Sequence, residues 1–134
     1  MAYSWLSCFD TTRKRVVLLV YTFDSGIQLW SFDPSTLAWA VLSQSGAIPA
    51  NGESSEGRAF IYSPVTDRLL LLSSNSNLKF YDMETGVWTT DSALNPPGFL
   101  QAFSTFTFDA RRGVALLAYS SSYTTTVFAY KESP

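Results

Sequence analysis

A repeated segment limits what this chain can fold into. The residues Asp33-Pro-Ser-Thr-Leu-Ala-Trp39 return as Asp82-Met-Glu-Thr-Gly-Val-Trp88, so the pattern Asp-x-x-Thr-x-x-Trp occurs twice, 49 residues apart. An apolar run precedes each copy, and a third apolar run, at 114–118, has no copy after it. A period near 50 residues is typical of arrays in which each unit buries its apolar faces against its neighbours. The repeat therefore predicts about three stacked units.

Strand-forming residues dominate each unit. Runs rich in Val, Ile, Thr, Phe, Tyr and Trp are separated by Gly, Pro, Asn, Asp and Ser, which is the pattern of strands and turns. No segment has a helical apolar period over a dozen residues. We predict an all-β chain with strands at 3–9, 15–21, 27–32, 38–42, 58–62, 68–73, 78–81, 87–90, 102–108, 114–119 and 126–130.

The second strand of each unit indicates how the units pack. Val16-Val-Leu-Leu-Val20 is apolar without alternation, as in a strand that is covered on both faces. Stacked sheets provide such cover and a single open meander does not. The two long connections, 43–57 and 91–100, fall between units. We expect one domain, 1–134, with units at about 1–43, 57–91 and 102–134.

The two complete units resemble a known repeat. Leu29-Trp-Ser-Phe-Asp33 with Trp39, and Leu78-Lys-Phe-Tyr-Asp82 with Trp88, are similar to the kelch-type β-propeller blade, which reads Leu-x-x-Tyr/Phe-Asp-x-x-Thr-x-x-Trp. The resemblance covers most of the chain. It implies four-stranded antiparallel blades, the third without its outer strand. The chain departs from the pattern where kelch blades carry Gly-Gly, and has Tyr21-Thr-Phe, Ser73-Ser74 and Tyr119-Ser120 there.

Composition narrows the classes of function. The formal net charge is −2, whereas a nucleic-acid partner needs a basic excess. No apolar run approaches the ~18 residues of a membrane span, and no signal-peptide pattern is visible at the N-terminus. We therefore expect neither nucleic acid nor membrane as a partner, and a cytoplasmic location. Cys8 is the only cysteine, so no disulfide forms within the chain.

Catalytic chemistry has little support. The chain has no histidine, which removes the commonest general base and metal ligand. Cys8 therefore lacks a histidine partner and is expected to be a small buried filler. No phosphate loop, metal-spaced cluster or carboxylate pair is visible. We expect no catalytic residue, no metal site and no cofactor.

The repeated Asp and Trp residues are expected to be structural. Asp33 and Asp82 would cap turns by accepting backbone N–H groups, and Trp39 and Trp88 would fill the space between sheets. The basic run at 13–15 and the pair at 111–112 fall in matching turns. They are either a basic rim for an acidic partner or solvated turns. In the second case Asp33, Asp82 and Glu84, which should emerge at the same end of the array, offset the charge.

The opposite end of the array is the candidate binding face. Loops 24–26, 74–77 and 120–125 are rich in hydroxyl and amide groups, which suit a peptide or a sugar. The candidate ligand-binding residues are Asp24, Asn75, Asn77 and Tyr123. Ordinary solvated loops would have the same composition.

Three units are too few for a closed propeller, which has roughly 4 to 8 blades. We expect a homodimer that closes a six-bladed ring with two-fold symmetry; otherwise the chain is one piece of a longer propeller. The expected function is a non-enzymatic binding or scaffold module, with a protein or glycan as possible ligand. The alternative is a fragment of a galactose-oxidase-like enzyme, whose copper site, as the resemblance implies, needs Tyr and His ligands.

Overall fold

The protein is all-β in the residues that the computed structural model describes, namely 2–22, 26–50, 59–72, 77–91, 104–121 and 124–131. These ranges contain twelve strands and no helix. The strands are β1 (Ala2–Asp10), β2 (Arg15–Thr22), β3 (Gly26–Asp33), β4 (Ala38–Leu42), β5 (Ser45–Gly46), β6 (Ala59–Ser63), β7 (Arg68–Leu72), β8 (Leu78–Asp82), β9 (Val87–Asp91), β10 (Ser104–Asp109), β11 (Val114–Ser121) and β12 (Thr124–Lys131). The predicted all-β class is confirmed.

The strands form three sheets that follow one another along the chain. The first sheet has the order β1-β2-β3-β4, the second β5-β9-β8-β7-β6 and the third β10-β11-β12. Neighbouring strands are antiparallel except for β5 and β9, which are parallel. All eleven predicted strands are present, with ends that differ by at most a few residues.

The short strand β5 corrects one prediction. The segment 43–57 was expected to be a connection without strands, but Ser45 and Gly46 pair with Val87 and Trp88. The Ser45 N–H donates to the Gly86 carbonyl at 3.0 Å, and the Ala47 N–H donates to the Trp88 carbonyl at 2.9 Å. The second sheet therefore has five strands instead of four, because the chain that leaves the first sheet bonds to its edge.

The turns β1–β2, β6–β7 and β10–β11 repeat one another in detail. Each turn has four residues, and its last residue has a positive φ: 52° at Lys14, 53° at Asp67 and 64° at Gly113. The residues that precede these turns are Asp10, Ser63 and Asp109. The three turns can thus be compared position by position, and the same holds for the strands that they join.

The middle sheet is packed between the other two. Along β7, Leu69 and Leu71 contact the first sheet, whereas Leu70 and Leu72 contact the third. All four are buried. Alternate residues of a strand point to opposite faces, so an apolar run without alternation fits this position. The prediction that the second strand is covered on both faces is correct for β7.

The same prediction is only half right for the outer sheets. In β2, Val17 and Leu19 are buried, whereas Val16, Leu18 and Val20 are partly exposed. The strand β11 repeats this pattern, with Ala115 and Leu117 buried. Each outer sheet therefore has one face in the core and one apolar face toward solvent.

The strands β1, β6 and β10, one from each sheet, lie side by side, because β6 contacts both β1 and β10. Successive sheets thus converge along one edge.

Among the described residues there is no helix long and apolar enough to cross a bilayer.

Candidate functional site

Most of the loop residues predicted to bind a ligand lie outside the described residues. Asp24, Asn75 and Tyr123 belong to this group. Asn77 is described: it is partly exposed and immediately precedes β8. The candidate face therefore stays a prediction, and the sites that can be built from geometry lie elsewhere.

A charged cluster joins the first two sheets. Asp10 is fully buried at the end of β1. Its Oδ1 accepts the backbone N–H groups of Thr12 and Arg13 at 3.1 and 3.0 Å, and its Oδ2 accepts Arg15 Nε at 3.1 Å and Arg13 Nη1 at 3.3 Å. These bonds compensate a buried carboxylate that would otherwise be costly and fix the β1–β2 turn.

Arg13 extends the cluster to the second sheet. Its guanidinium donates to both carboxylate oxygens of Asp67, at 2.7 and 2.6 Å. The Tyr62 hydroxyl donates to Asp67 Oδ1 at 2.8 Å and lies 2.7 Å from the Thr12 hydroxyl, which can donate in return. A bidentate arginine–carboxylate pair fixes orientation as well as distance, so the cluster holds the two turns in register.

The pKa values in the cluster follow from these contacts. The hydrogen bond from Arg13 lowers the pKa of Asp67, and the bond from Tyr62 acts in the same direction. Burial, chiefly, raises the pKa of Tyr62 to about 12. At pH 7 Asp67 is therefore ionised and Tyr62 is neutral. A general base works best when its pKa lies near the working pH, and neither group meets this condition. The geometry indicates a structural clamp.

Sequence reasoning did not find the partners of the basic run. It assigned the compensating charge to Asp33, Asp82 and Glu84, whereas the acids that contact Arg13 are Asp10 and Asp67. One signal was available: the spacing Asp10-x-x-Arg13 recurs as Asp109-x-x-Arg112. Arg112 Nη1 donates to Asp109 Oδ2 at 2.7 Å, so the local pair is a repeated feature. The contact across sheets joins residues 54 positions apart and has no sequence pattern.

The repeated aspartates cap their turns, as expected. Asp33 accepts the Ser35 N–H at 2.8 Å and the Ser35 hydroxyl at 2.6 Å, and these bonds lower its pKa. Asp82 accepts the Thr85 N–H at 2.8 Å and the Thr85 hydroxyl at 2.9 Å. The Thr85 backbone bond is the main cause of its lowered pKa.

Cys8 lies between the first two sheets, packed against their shared core. Burial, with a smaller contribution from the nearby Asp10 charge, raises the pKa of its thiol. A protonated, mostly enclosed thiol is a poor nucleophile, which agrees with the filler role. In the described part of the chain, no three His, Cys, Asp or Glu side chains are grouped as metal ligands.

The repeated tryptophans have different surroundings. Trp88 is 1% exposed, packs on Tyr81 with ring centroids 5.3 Å apart and donates from Nε1 to Gln44 Oε1 at 3.0 Å. Trp39 stacks on Phe32 at 4.7 Å but is 54% exposed. Both tryptophans follow the same turn and pair with the same strand of their sheets. The expected filling of an inter-sheet space holds for Trp88 and not for Trp39.

Trp39 belongs to an apolar surface on the first sheet, here called the aromatic face. Register places its members on the side of the sheet away from the second sheet. Its members are Phe9, Val16, Leu18, Trp30, Phe32, Trp39 and Val41. Phe9, Trp39 and Val41 are each at least half exposed. Apolar patches of this kind mark association surfaces.

The third sheet has a matching outer surface, here called the aliphatic face. Register places it on the side away from the second sheet. Its members are Val114, Leu116, Ala118, Val127 and Ala129, with Thr105 and Thr107 beside them and the charged residues Asp109 and Lys131 at the end near the β10–β11 turn. Val127 is 63% exposed. The described structure thus has an uncovered apolar face at each end of the stack.

Comparisons with known proteins add no assignment. No protein-family model matches the chain, and no curated protein matches it significantly.

Proposed function

We propose that this chain is a non-enzymatic binding or scaffold module, in which the three sheets are kelch-like blades of a β-propeller arc. The adjacent strands β1, β6 and β10 support the arc, since the inner strands of propeller blades converge on an axis. The repeated turn geometry and the repeated tryptophans also support it.

The observation that carries the scaffold role, which is association with another chain, is the exposed aromatic face. Large aromatic side chains contribute strongly to protein association when they become buried, and here Phe9 and Trp39 are half exposed on the same side of one sheet. The charged groups of the described cluster are, in contrast, bonded to one another. The chemistry of the described residues therefore favours recognition over catalysis.

In this proposal the loops at 24–26, 74–77 and 120–125 present Asp24, Asn75, Asn77 and Tyr123 to a protein or glycan. Glycan and peptide arrays probed with the purified chain test this role. We expect a reproducible ligand whose binding is abolished by Asn75→Ala or Asn77→Ala. Binding should be kept by Glu84→Gln, which changes an exposed turn residue after β8.

Two results would contradict the proposal. A ligand that binds both asparagine variants as well as the unchanged chain would remove these loops from the site. Stoichiometric copper in elemental analysis of the purified chain would favour the galactose-oxidase-like alternative instead.

A further inference from the structure

The two internal junctions between sheets share one chemical order. The later sheet contributes mainly aromatic side chains, and the earlier sheet contributes mainly aliphatic ones. At the first junction the aromatic members are Phe60, Tyr62, Tyr81 and Trp88, facing Leu6, Val17, Leu19, Ile27 and Leu29. At the second they are Phe106, Phe108, Phe128 and Tyr130, facing Ala59, Ile61, Leu70, Leu72 and Leu78. Exceptions occur on both sides of the junctions. Tyr21 and Phe80 lie among the aliphatic side chains, and the central-strand residues Leu69, Leu71, Ala115 and Leu117 lie among the aromatic ones.

The two uncovered faces continue this order. Counted from the turns, Phe9, Phe32 and Trp39 occupy the positions that Tyr62, Tyr81 and Trp88 occupy in the second sheet. The aromatic face therefore has the chemistry with which a sheet contacts the sheet before it in the chain, but no sheet covers it in the described structure. The aliphatic face of the third sheet has the chemistry with which a sheet contacts the sheet after it in the chain, and it is also uncovered in the described structure.

We propose that the aliphatic face of one copy packs on the aromatic face of a second copy, head to tail, in the same way as the internal junctions. The occupant is a second copy because each chain carries one face of each kind, and the internal junctions show that such faces fit together. Two copies supply six sheets, which lies in the range of closed propellers. Two identical junctions, related by a two-fold axis, then leave no face uncovered.

The edge of the proposed junction contains one unfavourable pair. At the first internal junction Arg13 bonds to Asp67, the last residue of the β6–β7 turn. Arg112 is the equivalent of Arg13, and Lys14 is the equivalent of Asp67. Arg112 is also 73% exposed, compared with 32% for Arg13. Across the proposed junction Arg112 of one copy thus lies near Lys14 of the other, and like charges weaken the association.

This pair gives a gain-of-function test. Lys14→Asp supplies the acid that Asp67 supplies internally, and aspartate is accommodated at this positive φ, as Asp67 itself shows. Sedimentation equilibrium should give a two-chain mass for the unchanged protein. The dissociation constant of Lys14→Asp should be several-fold lower at low salt, and this gain should shrink as NaCl is raised.

Loss-of-function variants test the two faces separately. Trp39→Asp on the aromatic face and Val127→Asp on the aliphatic face should each weaken self-association more than about tenfold, since each buries a charge. Leu37→Asp is the matched control: Leu37 is 74% exposed but lies in the β3–β4 turn, off both faces. Its dissociation constant should equal that of the unchanged chain. Circular dichroism checks that each variant is folded.

A mixture of the two face variants decides the orientation. In a head-to-tail junction, the intact aliphatic face of Trp39→Asp meets the intact aromatic face of Val127→Asp, so a one-to-one complex forms at concentrations where neither variant self-associates. A monomer at all concentrations up to about 100 µM would overturn the proposal. So would association that Trp39→Asp abolishes and Val127→Asp leaves unchanged, which indicates aromatic faces packed on each other. Open-ended polymers would overturn the closed ring.

This inference rests on the stacked arc of the proposed function and not on its ligand. A two-chain mass together with failed arrays would keep the junction and remove the ligand role. A folded monomer that still binds an array ligand would keep the ligand role and remove the junction.

Discussion

Trp39 and Trp88 occupy the same position of the repeat, yet only Trp88 has a sheet packed against it. We predict that Trp88→Ala lowers the free energy of unfolding by about 3–5 kcal/mol, the usual cost of removing a buried aromatic side chain. Trp39→Ala should cost under about 1 kcal/mol at dilute concentrations, because the side chain is already half exposed. Urea denaturation at low protein concentration measures both, and equal costs would contradict the assigned burial.

Asp67 is the residue through which Arg13 reaches the second sheet. We predict that Asp67→Asn lowers the free energy of unfolding at pH 7 by about 0.5–1 kcal/mol. The effect is small because Arg13 and Asp67 are both partly exposed, so water screens their charges. Asparagine tolerates the positive φ at this position, so the change reports the lost charge pair. Urea denaturation from pH 7 to pH 2 measures it, with Glu84→Gln as an exposed control.

The pH dependence of this difference has a defined sign. The pKa of Asp67 is lower in the folded protein than its ordinary value, so the ionised form stabilises the fold above that ordinary value. The contribution is lost as the pH falls through the folded-state pKa. The difference between the unchanged chain and Asp67→Asn should therefore vanish in strong acid. A difference that persists there would assign the effect to packing instead of charge.

At the scale of elements, β5 is held by a close backbone approach. A Cβ added to Gly46 would lie 2.5 Å from the Trp88 carbonyl oxygen, and φ is +77°. Gly46→Ala should therefore break the pairing with β9 and destabilise the chain by more than about 1 kcal/mol. Gly113→Ala is the control, since its φ is +64° but its Cβ meets only Val65, at 3.6 Å. Thermal unfolding should show the larger loss for Gly46→Ala; an equal loss would mean that φ strain alone matters.

The strands were predictable because their signal is local. Runs such as Leu69–Leu72 carry strand propensity and lie between turn residues, and the repeat sets their order. The strand β5 has no such signal: Ser and Gly are weak strand formers, and their pairing depends on where the chain passes the edge of the second sheet.

The partners across sheets were not predictable for the same reason. The Arg13–Asp67 contact requires two turns, far apart in sequence, to meet at a set distance. Local periodicity also could not distinguish β7, which is covered on both faces, from β2 and β11, which have similar apolar runs but are covered on one. That difference depends on how many sheets stack on each side.

At the scale of the whole molecule, the stack should have a gradient of local stability. The middle sheet is covered on both faces, and β7 is buried almost throughout. The outer sheets are covered on one face, and β4 is mostly exposed. Regions with more buried apolar contacts open less often. We predict that amide hydrogen exchange at low protein concentration is slowest in β7 and fastest in β4.

The same measurement should change with concentration if a second copy covers the outer faces. Binding to the folded state raises its stability by mass action, and it acts first on the elements at the interface. Exchange in β2, β3, β11 and β12 should slow as the protein is concentrated through its dissociation constant. In the Trp39→Asp variant, exchange in these strands should be as fast at high protein concentration as it is at low concentration. If exchange in these four strands of the unchanged chain does not depend on protein concentration, the outer faces remain uncovered.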